Sequence, residues 1–411
     1  MNKLTKKQID QLKPSATLAI NEESNKLKKS GKRVYKFGFG QSPFPIPESV
    51  VLELKKNSSK NFYLQMQGLD ELRSIIAKHL NKNNNNNFKK ENIIVGPGTK
   101  ELMFLTQIAF EGEILLPAPS WVSYQPQAII AKNNVHWIQT TSNSNWFPTA
   151  DKLEEKIKSI KNKNLILLIN SPNNPSGTVC KNLKEIADVA KKYKLIILSD
   201  EIYSRLTFND QYKSISNFYP EGTIVSSGLS KWCGAGGWRL GFFAIPDQLA
   251  EIKNSLKILC SESFTSVSAP VQYAAVKAYE DDHSDYLMKV KKILSLVANY
   301  VYENLKSNAI NVLQPEGGFY LFPEFTSAKF SSSSEMCKDI LEKTGVALLP
   351  GSDFGLDSNK MLARLSFTDF DGSNFLNNTL GSKKLDKADL ERYAPNIVDG
   401  VQALKDWSNS L

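Results

Sequence analysis

Histidine is nearly missing from this chain. His79, His136 and His283 are the only three among 411 residues, which argues against a multi-histidine metal site and leaves each expected as a surface or packing residue. The four cysteines, Cys180, Cys233, Cys260 and Cys337, stand far apart with no C-x-x-C pair. Neither a zinc site nor a disulfide framework is indicated, no metal is expected, and reduced thiols in a cytoplasmic setting fit best. The opening segment, MNKLTKKQIDQLKPSATLAINEES, lacks the apolar run of a signal peptide or a spanning helix, so no membrane partner is expected. There is no G-x-x-x-x-G-K-[ST] loop and no G-x-S-x-G elbow, so NTPase and serine hydrolase readings have no support. GAGGWR at 234–239 fails the dinucleotide fingerprint at Arg239 and has no βαβ opening around it. No repeat with a period of 20 to 50 residues is visible.

What remains is an ordinary globular composition, with 41% hydrophobic and 23% charged residues. A chain of this length exceeds the size at which one core keeps growing, so two domains are expected. The formal net charge of +9 is spread over lysines on helix faces, such as Lys152, Lys156, Lys158, Lys161 and Lys163, and not gathered into one arm. That pattern reads as solvated faces, with no nucleic-acid partner, and its field suits anionic small molecules.

Along the chain, VYKFGFG at 34–40 reads as a strand leading into a tight turn at 41–45, and the asparagines at 83–87 read as a loop. NIIV at 92–95 then gives way to GPGT at 96–99 and a helical pattern over 100–110. Short apolar runs follow at 114–116, 165–169, 195–198, 223–225 and 240–245, suited to strands buried on both faces. Helical patterns at 183–193 and 248–259 lie between several of them, so the middle of the chain reads as α/β with a largely parallel sheet. From about Tyr286 a long helical stretch to Leu305 and then mixed elements suggest a smaller α+β domain. The expected division is a large domain over 48–290 and a small one from 1–47 and 291–411.

Ligands bind outside the carboxyl ends of strands in open parallel sheets. Three polar clusters stand at such ends: NSPNNPSG at 170–177, SDEIY at 199–203 and SSGLSK at 226–231, the last followed by GGWRLG at 236–241. With these motifs, in order and over nearly the whole chain, the sequence resembles the class I/II aminotransferases, the aspartate aminotransferase-like enzymes of the fold-type I pyridoxal 5'-phosphate (PLP) superfamily. The resemblance implies a three-layer large domain, a homodimer with shared active sites, and transfer of the amino group of an L-amino acid to a 2-oxo acid by a ping-pong mechanism. A PLP lyase or decarboxylase on the same fold is the alternative, because the cofactor sets up several bond cleavages and the site decides between them. A PLP-sensing DNA-binding module is not expected, since it would carry a fused helix-turn-helix.

Residue by residue, Lys231 matches the Schiff-base lysine, whose amine condenses with the cofactor aldehyde and then shuttles a proton. Asp200 matches the aspartate that pairs with the pyridine nitrogen; a helix cap is its other reading. Tyr203 and Asn174 would bond the ring's phenolic oxygen, though an Asn-Pro-Ser-Gly stretch is also a good turn. Arg239 matches the phosphate clamp, helped by the helix opening Gly98, Thr99 and Lys100 and by Ser230. Where the family often has a serine or threonine three residues before the lysine, this chain has Gly228, leaving that contact missing or supplied by Ser226 or Ser227. Trp121 in PSWVSY resembles the aromatic stacked on the cofactor and shaping the substrate side, or is a buried structural tryptophan. Tyr63 matches a tyrosine that reaches the neighbouring subunit's phosphate. Arg364, in MLARLSF after LPGSDFG, matches the arginine that binds the substrate carboxylate, with Gly40 giving backbone close by, although an alternating strand could also turn Arg364 to solvent.

Overall fold

The computed structural model describes residues 4–12, 14, 16–83, 86–209, 212–378 and 385–411. Seven strands form one sheet: β1 (Ile93–Gly96), β2 (Glu113–Ala118), β3 (Val135–Gln139), β4 (Leu165–Asn170), β5 (Ile196–Asp200), β6 (Thr223–Gly228) and β7 (Gly241–Ala244). They are ordered β1-β7-β6-β5-β4-β2-β3. Neighbours from β3 to β6 run parallel, whereas β7 is antiparallel to both β6 and β1.

Every residue of β4 is buried, and the pleat divides them between two cores. Leu165, Leu167 and Ile169 pack with helices Ala150–Ser159 and Leu183–Tyr193 on one face. Ile166 and Leu168 pack with helices Thr99–Ala109, Tyr124–Ala131 and Ala250–Ser263 on the other. Covering on both sides is why these strands read as continuous apolar runs with no polar alternation. The fold is therefore the expected α/β sheet between helical layers.

The β1, β7 and β6 end of the sheet joins a third core, in which Val95, Val225 and Phe242 meet side chains of helices Asp70–Asn83, Ala269–Glu280 and Ser284–Leu305. That core continues into the later part of the chain, where β8 (Ile310–Asn311) pairs with β10 (Glu324–Phe325), and β12 (Ala363–Ser366) lies between β9 (Tyr320–Leu321) and β11 (Leu349–Pro350). The boundary expected at 290/291 falls inside the continuous helix Ser284–Leu305, which packs against elements on both sides of it.

The strand expected at 34–40 does not form. Tyr35 makes a single bridge to Val346, after which the backbone is claimed by side chains: Asp369 accepts from Lys36 N, and Arg364 donates to the Gly38 carbonyl. Thr368 and Lys231 donate to the carbonyls of Phe39 and Gly40. Between them the Phe37 carbonyl accepts the Ser366 N–H at 2.7 Å, and with only this isolated backbone bond beyond the Tyr35 bridge no ladder forms. β3 was not anticipated, because as an edge strand it is only partly buried and carries no apolar run. Of the asparagine stretch, Asn83 ends a helix, Asn86 and Asn87 are irregular, and the loop expected at 84–85 lies outside the described residues. The lysines of 152–163 do lie on exposed faces, with Lys152 paired to Glu155 at 3.3 Å. No helix among the described residues is long and apolar enough to cross a membrane, and none of their His, Cys, Asp and Glu side chains cluster as a metal site.

Leu167 is fully buried at the centre of the sheet. Leu167→Ala is expected to lower stability by about 2–5 kcal/mol, from lost transfer energy plus the cavity; denaturant unfolding would measure it, and a loss well under 1 kcal/mol would contradict the packing described.

Candidate active site

The carboxyl ends of β2, β4, β5 and β6 border a pocket of about 510 Å³. Of the residues singled out in the sequence, Gly40, Thr99, Lys100, Trp121, Asn174, Asp200, Tyr203, Ser230, Lys231, Arg239 and Arg364 line it. Gly98 lies just outside the lining, beside Arg239, and Tyr63 is elsewhere on the surface, 88% exposed.

Asp200 ends β5 and is buried. Its Oδ2 accepts the Tyr124 hydroxyl at 2.8 Å and its Oδ1 the Ile202 N–H at 3.4 Å, and among the described residues no lysine or arginine pairs with it. Burial raises its pKa to about 6 against the pull of the Tyr124 bond. The helix-cap reading fails, because the next helical turn, Ser204–Leu206, has Tyr203 and not Asp200 at its N-cap position.

The antiparallel return from β6 to β7 is the loop that carries both Lys231 and Arg239. Lys231 Nζ donates to the Gly40 carbonyl at 2.9 Å and lies 5.5 and 5.7 Å from the ring centres of Phe319 and Tyr203. Burial, reinforced by the nearby Arg364 charge, lowers its pKa to about 8 although Asp200 opposes the shift. At that value about a tenth of the amine is neutral at pH 7, far more than for an ordinary lysine, as a nucleophilic amine needs.

Arg364, on β12, is 2% exposed, so the solvent-facing alternative is excluded. Its Nη1 donates to Asn174 Oδ1 at 3.0 Å and its Nη2 to the Gly38 carbonyl at 2.7 Å, while its buried Nε has no partner. The guanidinium lies over the rings of Tyr320, at 4.8 Å, and Phe354, at 5.3 Å. Tyr203 and Tyr320 share a hydroxyl–hydroxyl bond of 3.0 Å. Asn174 is held in its turn by its own N–H bonding to Asn170 Oδ1 at 2.7 Å, so the turn reading and the pocket position coexist.

On the opposite wall, helix Thr99–Ala109 begins directly after Gly98, and its first N–H groups have no partner within the helix. Gly98 has a φ of 88°, which favours glycine, and a Cβ there would push the Arg239 guanidinium aside. Arg239 Nη1 donates to the Gly236 carbonyl at 2.9 Å. Lys100 Nζ sits 5.3 Å from the Trp121 ring centre, its pKa lowered by burial and by Arg239. Trp121 meets Tyr124 edge-on at 5.3 Å.

A Cβ at Gly228 would lie 2.7 Å from the Leu240 carbonyl, so no hydroxyl side chain fits there. Neither Ser226 nor Ser227 takes over: Ser226 Oγ is buried without a partner, Ser227 Oγ donates to the Glu201 carbonyl at 3.4 Å, and only Ser230 of the three lines the pocket. The sequence reading missed Tyr124 and Tyr320. Tyr124 could have been found, since it follows Trp121 by one helical turn; Tyr320, on the two-residue β9, offered no signal. Glu201, beside Asp200, is engaged by Ser199 and Ser214 hydroxyls at 2.9 and 2.5 Å, with its pKa raised by burial to about 7.

Taken together, the pocket offers an amine, a buried carboxyl without a cation, a wall with Lys100, Arg239 and the start of a helix, and a buried guanidinium with a donor to spare. Residues 32–373 match the family model for aminotransferase class I and II. The chain is 32% identical over 374 residues to an aspartate aminotransferase of Bacillus sp. strain YM-2, covering 87% of this chain and 94% of that one. It is 30% identical over 380 residues to an asparagine–oxo-acid transaminase of Streptococcus mutans, covering 88% and 95%. The crystal structure of an aspartate aminotransferase from Thermotoga maritima superposes with a TM-score of 0.82 at 28% identity, covering 98% of this chain and all of that one.

Because Asp200 ionises in the unfolded chain near its ordinary 3.8 but near 6 when folded, its burial lowers stability as pH rises between those values. Asp200→Asn carries no such penalty. In protein without added cofactor, its stability relative to the parent should grow from pH 4 to pH 6 by on the order of 3 kcal/mol and then level off. Urea unfolding across that range would test it, and a difference independent of pH would refute it.

Proposed function

We propose a donor, a division of labour and an assembly for a chain that belongs to the class I and II aminotransferases. As a member, it is a PLP-dependent enzyme that exchanges amino groups between amino acids and 2-oxo acids. Nothing in the site or in these relatives favours a lyase or decarboxylase. The donor we propose is L-aspartate, the amino acid named in the Bacillus and Thermotoga relatives.

The observation that carries the reading is Arg364, a guanidinium buried in the pocket that also holds the Lys231 amine and the Asp200 carboxyl, with one N–H unanswered. A planar, forked cation in that position suits an α-carboxylate, which it would orient as well as attract. Gly40 and Asn174 border the same end of the pocket.

The remaining residues fit PLP. Asp200, buried without a cation, would hold the protonated pyridine nitrogen; Tyr203 and Asn174 would bond the phenolic oxygen; Trp121 would cover the ring. The start of helix Thr99–Ala109 with Gly98, Lys100, Ser230 and Arg239 would hold the phosphate. When bound, PLP supplies an electron sink for negative charge at the substrate α-carbon. Lys231, whose lowered pKa makes its amine available, would carry the cofactor and later move a proton at that α-carbon. Arg364 would hold the substrate and the phosphate wall the cofactor, so that the reacting groups are positioned before the bond to be broken reacts.

Tyr63, 88% exposed and outside its own chain's pocket, supports a homodimer in which it completes the neighbour's phosphate site. Four cysteines buried as free thiols support a reducing, cytoplasmic setting.

The test is a single turnover of the PLP-loaded enzyme with a panel of L-amino acids and no acceptor. One equivalent of the oxo acid of aspartate is expected, and release of ammonia or carbon dioxide in its place would overturn the reading. Arg364→Lys should lower kcat/KM for aspartate about a hundredfold, mainly through KM, because the fork is lost while the charge is kept; an unchanged KM would remove Arg364 from the substrate site. For the dimer, Lys231→Ala and Tyr63→Ala chains, each impaired alone, should regain activity when mixed and reassembled, since one hybrid site has both residues intact. Activity no greater than the sum of the parents would show that Tyr63 does not act across an interface.

A further inference from the structure

Among the described residues nine buried side-chain nitrogen or oxygen atoms have no hydrogen-bond partner, and four of them belong to one cluster outside the pocket: Arg205 Nη1, Trp232 Nε1, Tyr279 Oη and His283 Nε2. The Arg205 guanidinium lies 3.8 Å from the Trp232 ring centre, and Trp232 is 6.0 Å from Tyr279 and 5.7 Å from His283, ring to ring. Trp232, Tyr279 and His283 are all nine-tenths buried or more. The side chains come from the loop after β5, the loop after β6, helix Ala269–Glu280 and the residue before helix Ser284–Leu305. Four separate segments thus bring unanswered polar groups to one place.

The charge of the cluster is lopsided. Arg205 makes no ion pair among the described residues. His79, in edge contact with Tyr279, is held neutral by burial and by Arg205, with its pKa near 4, and Cys233 stays a thiol, near 12. The nearest carboxylates are engaged elsewhere: Asp281 pairs with Lys277 at 2.6 Å, and Asp282 is exposed and bonded to Ser284. Stacking on Trp232 offsets part of the guanidinium's lost hydration but satisfies none of its N–H groups. A half-buried cation whose buried Nη1 has free donors beside it is stabilised by an anion that accepts from all of them.

We infer that Arg205, Trp232, Tyr279 and His283 enclose a binding site for a small monovalent anion of the halide class. The guanidinium, the indole N–H and the phenol O–H are its donors, and the His283 ring, kept from protonating by burial and by Arg205, closes the remaining side. Trp232 follows Lys231 directly and Arg205 follows Tyr203 by two residues, so the bound ion braces the two loops that deliver those residues to the pocket.

The test uses the PLP-loaded enzyme, whose phosphate site is already filled. Crystals grown in sodium bromide should show an anomalous peak among the four side chains. In solution the Tm should rise with chloride and saturate, relative to gluconate at the same ionic strength. Tyr279→Phe, which removes a single hydroxyl, should raise the half-saturating chloride concentration about tenfold, and Arg205→Met should abolish the effect. If Arg205→Met does not fold, the Tyr279→Phe shift still decides. A water without anomalous signal at this position, or equal Tm in chloride and gluconate, would overturn the inference.

Discussion

A charge withdrawn from water must be answered, and the answer given to Arg364 organises this molecule. Its guanidinium reaches the Gly38 carbonyl and the Asn174 amide, so that a strand from the late part of the chain, an extended segment from its beginning and a turn after β4 meet at one group. The rings of Tyr320 and Phe354 close over it, and the hydroxyl of Tyr320 passes the connection on to Tyr203. Lys231 repeats the device through the Gly40 carbonyl. Irregular backbone at 34–40 is therefore tolerable inside the protein, because cationic and hydroxyl side chains, together with a few isolated backbone bonds such as that from Ser366 to Phe37, answer it where no continuous ladder runs alongside.

The parallel sheet explains why so many polar groups share one edge. Strands that run the same way all end on the same side, and every loop that follows them starts there. The one reversal, β7, returns the chain across that edge and carries Lys231 and Arg239 on the way. Asp200 and Glu201 then diverge from adjacent positions: one looks into the pocket without a cation, the other is closed off by serine hydroxyls.

Much of this was legible in the sequence because burial on both faces writes itself as an uninterrupted apolar run, and the runs at 165–169 and 195–198 became β4 and β5. The polar clusters behind them carried enough chemistry in fixed order to place eleven of thirteen singled-out residues on one pocket, the exceptions being Gly98 and Tyr63. What stayed hidden had no local signature. β3 is an edge strand with mixed polarity, Tyr320 sits on two residues of strand, and the apolar alternation at 34–40 is shared by strands and by extended segments held from the side. Long-range hydrogen bonds choose between those two states, and no window of sequence contains both partners.

The span of the pocket along the chain has a kinetic consequence. Gly40 lies near one end, Arg364 near the other, and the bond from Arg364 to Gly38 closes a loop of more than three hundred residues. Contacts of such sequence separation are costly in chain entropy and form late. During synthesis the sheet edge with Asp200 and Lys231 can be complete while the wall supplied by β12 has not yet left the ribosome. The pocket is therefore completed in a single step, when the last third of the chain returns to meet the first.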